Sequence, residues 1–327
     1  MFRDARQVFW YVIGGLFLLS AGLIAISGAT IPYALPIVLV LAGAIIIIAG
    51  VLGFRPTFPA FAVFLIGIVI FGLVVSGPSG FTAYTSTETY ELARAQAPAV
   101  EEIDLTCTVS TGGIKVTFTS NQSQLYRIVF TKHYSIFFQP VVNFTYSVNQ
   151  QELTVNATST AASVDIILNE NLRSRLYIKT STGGLQVQVP STSTRVEKLV
   201  LTATTGGVQI NLANTERLRE VVATTTTGGV DATIRSSFQI RDATVQLKTT
   251  TGGVNLNLNI TNIESDIQAG TTTGNVNADN IIGFTILSRT STELHAQTPN
   301  YASSSLRKLD ITATATTGGV DIIARHD

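Results

Sequence analysis

The sequence predicts an all-β repeat protein: a β-solenoid of stacked two-strand units about 22 residues long, preceded by three transmembrane α-helices. Three observations predict it. A Thr-Gly-Gly-apolar turn recurs at near-constant spacing, apolar and polar residues alternate on both sides of each turn, and the first 76 residues are almost wholly apolar. Three parts follow: a membrane anchor over 1–76, a linker over 77–100 and the repeat domain over 101–327.

In the anchor, Val8–Ile26, Ile31–Leu52 and Phe58–Val75 contain no Asp, Glu, Lys, Arg or His. At about 1.5 Å per residue each is long enough for the ~30 Å hydrocarbon layer. Pro32, Pro36 and Gly28 separate the first two, Arg55-Pro56 and Pro59 the last two, and Trp10, Tyr11 and Tyr33 sit where an interfacial belt belongs. A signal peptide is the alternative for the first stretch, but two more spans follow at once without a small-residue cleavage site. Arg3, Arg6 and Arg55 flank the spans, and the loop at 27–32 carries no charge. The positive-inside rule then makes this a multi-pass cell-membrane protein with a cytoplasmic N-terminus and an extracytoplasmic C-terminal domain. With no ionisable group in the spans, transport is disfavoured and the bilayer is read as a partner for anchoring.

Gly77-Pro78-Ser79-Gly80 opens the linker, which runs to about Val100, and residues 81–104 are candidates to cap the stack. The turn then appears as Thr111-Gly112-Gly113-Ile114, Thr182-Gly183-Gly184-Leu185, Thr205-Gly206-Gly207-Val208, Thr227-Gly228-Gly229-Val230, Thr251-Gly252-Gly253-Val254, Thr273-Gly274-Asn275-Val276 and Thr317-Gly318-Gly319-Val320. From Gly183 to Gly274 the steps are 23, 22, 24 and 22 residues, and the 44 from Gly274 to Gly318 reads as two periods. Such a period marks stacked units.

Counting from the leading glycine as zero, positions −7, −5 and −3 are Leu199, Leu201, Ala203 in one copy and Val245, Leu247, Thr249 in another. Positions +2 and +4 are Val208, Ile210 and Val254, Leu256. Apolar residues at one parity on each side of the turn predict two strands per unit, each burying one face. Degenerate rungs are read at Leu153–Leu168 and Leu287–Ala296, and the aromatic stretch Gln124–Tyr146 as a wider rung, hairpin or protruding loop. Eight to ten rungs at about 4.8 Å would stack to roughly 40–50 Å. The last rung, Ile311–Ala324, is expected to end the stack in an open edge, blunted by Arg325, His326 and Asp327 or available for self-association through the solenoid ends.

These turns and their spacing resemble the family of bacterial and archaeal putative adhesin domains with a toast-rack-like β-solenoid, over Glu101–Asp327. The resemblance implies a membrane-anchored domain specific in architecture and loose in function. Some relatives carry short membrane helices and regulate envelope-stress signalling. The Asp or Asn usual after the first Gly of that motif is mostly Gly here. Bactofilins share the repeat logic without three membrane spans.

No catalytic, cofactor-binding or metal-binding residue is assigned. Position +3 carries Lys115, Asp165, Gln186, Gln209, Asp231, Asn255, Asn277 and Asp321, a polar ladder suited to a glycan or a cation, although such a ladder is more often just the solvated side of a strand. Gly-Gly-Val-Asp at 228–231 and 318–321 looks like a calcium nonapeptide, yet the period is 22 and not 9. His133, His295 and His326 fall far apart in the repeat frame, and Cys107 takes an inward −5 position, a buried residue rather than a nucleophile. Carboxylates do not pair on adjacent rungs around Asp231, as a glycosidase would need. Asn121, Asn143, Asn156 and Asn259 begin sequons, as many as this Ser/Thr-rich composition produces by chance.

Charged residues make up only 13% of the chain and balance to zero, which argues against nucleic acid as a partner. The expected function is therefore non-enzymatic: a surface protein whose β-solenoid ectodomain serves adhesion or cell-envelope structure, with a surface glycan or membrane protein as partner and no cofactor. The alternative is an accessory membrane regulator or sensor of envelope stress.

Overall fold

The computed structural model describes residues 84–134, 140–190, 194–213, 217–236 and 241–326. The three apolar stretches of the anchor lie outside these; among the described residues no helix is long and apolar enough to cross a membrane. The chain divides into two compact units, of which the second, Thr87–Thr131 with Pro140–Asp327, holds the repeats.

Each repeat forms a rung of two strands joined at the Gly-Gly turn. The first strands are β2 (Glu102–Thr111), β7 (Arg173–Thr182), β9 (Val196–Thr205), β11 (Glu220–Thr227), β13 (Ala243–Thr251), β15 (Glu264–Thr273) and β19 (Lys308–Thr317). Their partners across the turn are β3 (Ile114–Thr119), β8 (Leu185–Val189), β10 (Val208–Leu212), β12 (Val230–Ser236), β14 (Val254–Ile260), β16 (Val276–Ile282) and β20 (Val320–His326). An eighth rung is one long strand, β6 (Glu152–Asn169), that bends at Ala162-Ser163 where the others turn. First strands stack in parallel into sheet I and second strands into sheet II, residue on equivalent residue. Seven intervals of about 4.8 Å make this stack roughly 34 Å long.

The alternation dictates the core. Leu105, Leu176, Leu199, Val221, Val245, Ile311 and Ile267 form one inward column of sheet I, and all are buried. Val116, Val187, Ile210, Ala232, Leu256 and Ile322 line the facing side of sheet II, and the two inner faces make one continuous cluster. Fully burying a Val, Leu or Ile contributes roughly 1.5–3 kcal/mol, so the columns supply the main stabilisation. Cys107 is wholly buried, and burial pushes its thiol up to about 12.

The turns are part of the sheet. Gly206 N donates to Thr227 O at 2.8 Å and Val208 N to Gly229 O at 2.9 Å, and the same bonds repeat up the stack. The leading glycines all have φ between +131° and +143°. A Cβ on Gly228 would sit 2.2 Å from the carbonyl oxygen of Gly206, whereas one on Gly229 would meet Gly253 O at 3.3 Å. Only the first position therefore requires glycine, which explains why Asn275 is accepted at the second. At the −3 position below the turn, buried Thr180 and half-buried Thr271 donate to the carbonyls of Gly112 and Gly318, satisfying oxygens that would otherwise be orphaned.

Rung order departs from chain order at both ends. β2 lies between β6 and β7, and β3 between β6 and β8, so the first two rungs are exchanged. β19 pairs with β13 on one side and β15 on the other, and β20 with β14 and β16, so the C-terminal rung is interior. This corrects the expectation that Ile311–Ala324 ends the stack. The 44-residue gap is likewise not a second period: β17 (Thr285–Arg289) and β18 (Glu293–Gln297) form an antiparallel hairpin added to the outer edge of β15, in place of a rung at Leu287–Ala296.

At the opposite end the aromatic stretch resolves into β4 (Gln124–Tyr134) and β5 (Val142–Asn149), with residues 135–139 outside the described ones. β5 pairs antiparallel with Glu152–Ser159 of β6, leaving β4 to pair with the later part of that strand. Beyond β4 lies β1 (Tyr84–Ala93), a strand within the stretch read from sequence as linker and cap.

Candidate functional site

The +3 side chains stand on the outer face of sheet II in the order Asp165, Lys115, Gln186, Gln209, Asp231, Asn255, Asp321, Asn277. All eight are exposed. The ladder is partly self-bonded: Gln186 Nε2 donates to Gln209 Oε1 at 3.1 Å, Asn255 Nδ2 to Asp231 Oδ1 at 2.5 Å and Asn277 Nδ2 to Asp321 Oδ1 at 2.7 Å. Because the last rung is interior, Asp231, Asn255, Asp321 and Asn277 alternate acid with amide, and no two carboxylates touch. Beside this ladder runs a groove of about 540 Å³, with backbone of Gly113, Gly184 and Gly207 in its lining and Lys115, Gln186, Gln209 and Asp231 along it. Amides and carboxylates repeated at the rung spacing form a surface for hydrogen bonding to an extended polar chain. Sequence identified each of these residues; it did not identify the groove, which depends on the missing Cβ atoms.

The aromatic stretch splits between core and surface. Tyr126 and Phe130 are buried, and burial pushes the Tyr126 phenol up to about 12. Phe144 stacks on Tyr90 with centroids 4.2 Å apart and planes 18° apart. Tyr146 is 53% exposed and Val148 44% exposed.

Two polar clusters on the outer face of sheet I were not singled out from sequence. In the first, Arg175 binds Glu102 Oε2 at 2.5 Å and Asp104 Oδ2 at 3.1 Å, with Glu152 at 3.9 Å and Glu197 at 4.0 Å; Arg173 also pairs with Glu102. Desolvation, against the pull of Arg175 and together with the hydrogen bond and charge of Glu152, holds the Asp104 carboxyl above its ordinary value of 3.8. A raised carboxyl stabilises the fold below that ordinary value and loses the contribution as pH rises through the raised one. Asp104→Asn is therefore expected to raise the melting temperature at pH 7, with the gain vanishing as the pH falls below 3.8 in a thermal-unfolding series.

In the second cluster, His295 Nε2 lies 2.7 Å from Asp266 Oδ1 and Gln268 Nε2 donates to Asp266 Oδ2 at 2.9 Å, beside a hollow of about 350 Å³ that Ser288 also lines. His326 stands elsewhere, edge-on to Phe284, so the two described histidine side chains share no site. Among the described residues no group of three His, Cys, Asp or Glu is placed to hold a metal ion.

No family model matches the chain, and no curated protein matches it. Among solved structures, it is similar to a "putative cell adhesion protein" from Clostridium sporogenes ATCC 15579, at 16% identity and a TM-score of 0.48 over 74% of this chain and 100% of that one. At that identity and score the likeness adds nothing to what the strand register already establishes.

Proposed function

We propose that this chain is a non-enzymatic surface protein, anchored by three N-terminal membrane spans, whose stacked β domain lies outside the membrane and serves adhesion or cell-envelope structure. The observation that supports it best is the unbroken eight-residue polar ladder beside an axial groove. A rigid stack repeats one small set of hydrogen-bonding groups along its length, which suits a repeating partner such as a surface glycan better than a single small substrate. The toast-rack resemblance of the turns and the apolar stretches of residues 8–75 support the same reading.

An epitope tag placed after Asp327 is expected to be lost when protease is added to intact cells. Protection until lysis would overturn the topology and point to an internal, bactofilin-like scaffold. Recovery of a membrane kinase by cross-linking would replace adhesion with the accessory-regulator reading.

A further inference from the structure

The two ends of sheet I are finished differently. At one end β17 is only five residues long, its register breaks between Ile286 and Ser288, and Arg289 is tied to Asp279 at 3.0 Å. Shortness, a bulge and a charge are the devices that keep an edge strand from pairing further. At the other end β5 reads Val-Asn-Phe-Thr-Tyr-Ser-Val-Asn, without charge or proline, and runs in unbroken register against β6.

The row Val142, Phe144, Tyr146 and Val148 faces the core side, because it lies opposite Ser159, Ala157, Val155 and Leu153, all of which are buried. Val142 and Phe144 pack on the core, whereas Tyr146 and Val148 stand more than two-fifths exposed. Among the described residues, the apolar layer of the core thus runs out to a hydrogen-bonding edge at which no further strand pairs.

We propose that the β5 edge is a dimerisation surface, occupied by β5 of a second copy of this chain running antiparallel across a two-fold axis at Tyr146. A neutral strand offers nothing for a charged partner to complement, but it is complementary to itself. The antiparallel register that keeps apolar residues opposite one another and sets the most exposed of them, Tyr146, on the axis puts Tyr146 opposite Tyr146 and Phe144 opposite Val148. Asn143, Thr145, Ser147 and Asn149 then share the solvated face. A two-fold contact uses the same patch on both copies and closes at two, while the blunted β17 edge prevents growth from the other end. The contact does not rest on the adhesion reading, since it forms on whichever side of the membrane the domain lies.

The test is disulfide trapping of the full chain in isolated membranes. Directly opposed Cα atoms in an antiparallel pair are about 4.5–5.5 Å apart, within the range a disulfide spans. Cys107 is the only native cysteine and is buried, so it does not compete. Tyr146→Cys under mild oxidant is expected to convert the 34.9 kDa chain to a species of twice that mass. Adding Val148→Lys to it is expected to abolish the link by placing an unpaired charge in the apolar row. Asp231→Cys, on the outer face of sheet II, is expected to remain without a disulfide link. The unsubstituted chain in detergent should likewise have a dimer's protein mass by light scattering. A monomeric unsubstituted chain, an unlinked Tyr146→Cys, equal linking through Asp231→Cys, or assemblies larger than two would each overturn the proposal.

Discussion

Gly228→Ala is expected to destabilise the domain by about 3 kcal/mol or more, and Gly229→Ala, one residue later, by no more than about 1 kcal/mol. Backbone in the region occupied by Gly228, at φ +133°, costs an L-residue roughly 1–3 kcal/mol. The added methyl also overlaps a carbonyl oxygen at 2.2 Å, and that oxygen belongs to backbone bonded into the turn ladder on both of its sides. The neighbour cannot yield without breaking those bonds. At Gly229 the nearest atom is 3.3 Å away and the backbone is ordinary, so Ala there also removes freedom from the unfolded chain. In a domain of this size the first change should lower the melting temperature by roughly 6–12 °C, taking about 2–4 °C per kcal/mol. Equal melting temperatures for the two variants would refute the account of the turn.

Deleting Lys308–Asp327 is expected to unfold one end of the stack rather than shorten it. β19 and β20 supply both neighbours' pairing: β13 and β15 in sheet I, β14 and β16 in sheet II. Leu309, Ile311, Val320 and Ile322 are all buried between them. At roughly 1.5–3 kcal/mol each they account for about 6–12 kcal/mol, close to the ~5–15 kcal/mol that keeps a whole domain folded. Hydrogen exchange should then show protection lost across Glu264–Gln297 and weakened in Ala243–Thr251. A stack built in chain order would lose only its outermost rung, and unchanged protection of Glu264–Thr273 in the truncated chain would exclude the interior placement.

The same deletion separates what could be read before folding from what could not. Position within a rung follows from chemistry local to the repeat. Alternation at Leu199, Leu201 and Ala203 decides which face is buried, and the glycine before Gly207 or Asn275 decides where the chain turns. These properties recur in every copy, so the Thr-Gly turn with its flanking alternation was enough to find seven of the eight rungs, and the apolar parity around Ala162-Ser163 found the eighth. The ladder at +3 followed at once, because a residue's place in the rung specifies its face.

Neighbour order is a different kind of information. Every rung presents the same columns of Val, Leu and Ile, so burial stabilises nearly any order of stacking. What distinguishes the orders lies in outward-facing side chains whose partners are remote in sequence. Glu102 and Asp104 occupy the positions in β2 that Arg173 and Arg175 occupy in β7, and only direct contact of these strands forms the ion pairs. Insertion of β20 beside β16 gives Asn277 the carboxylate of Asp321. The groove, the acidic cluster around Arg175 and the bare β5 edge all follow from these placements.

By itself, then, the sequence determined the strand pairs, their buried faces, the turn chemistry and the polar ladder, since each depends on alternation and on glycine within a single repeat. Only the tertiary structure decided that the first and last rungs exchange places with their neighbours, that the C-terminal rung is interior and that Tyr146 stands on an open edge. Those outcomes depend on which of many equivalent apolar surfaces meet, and equivalence in the core leaves that choice to contacts between residues far apart along the chain.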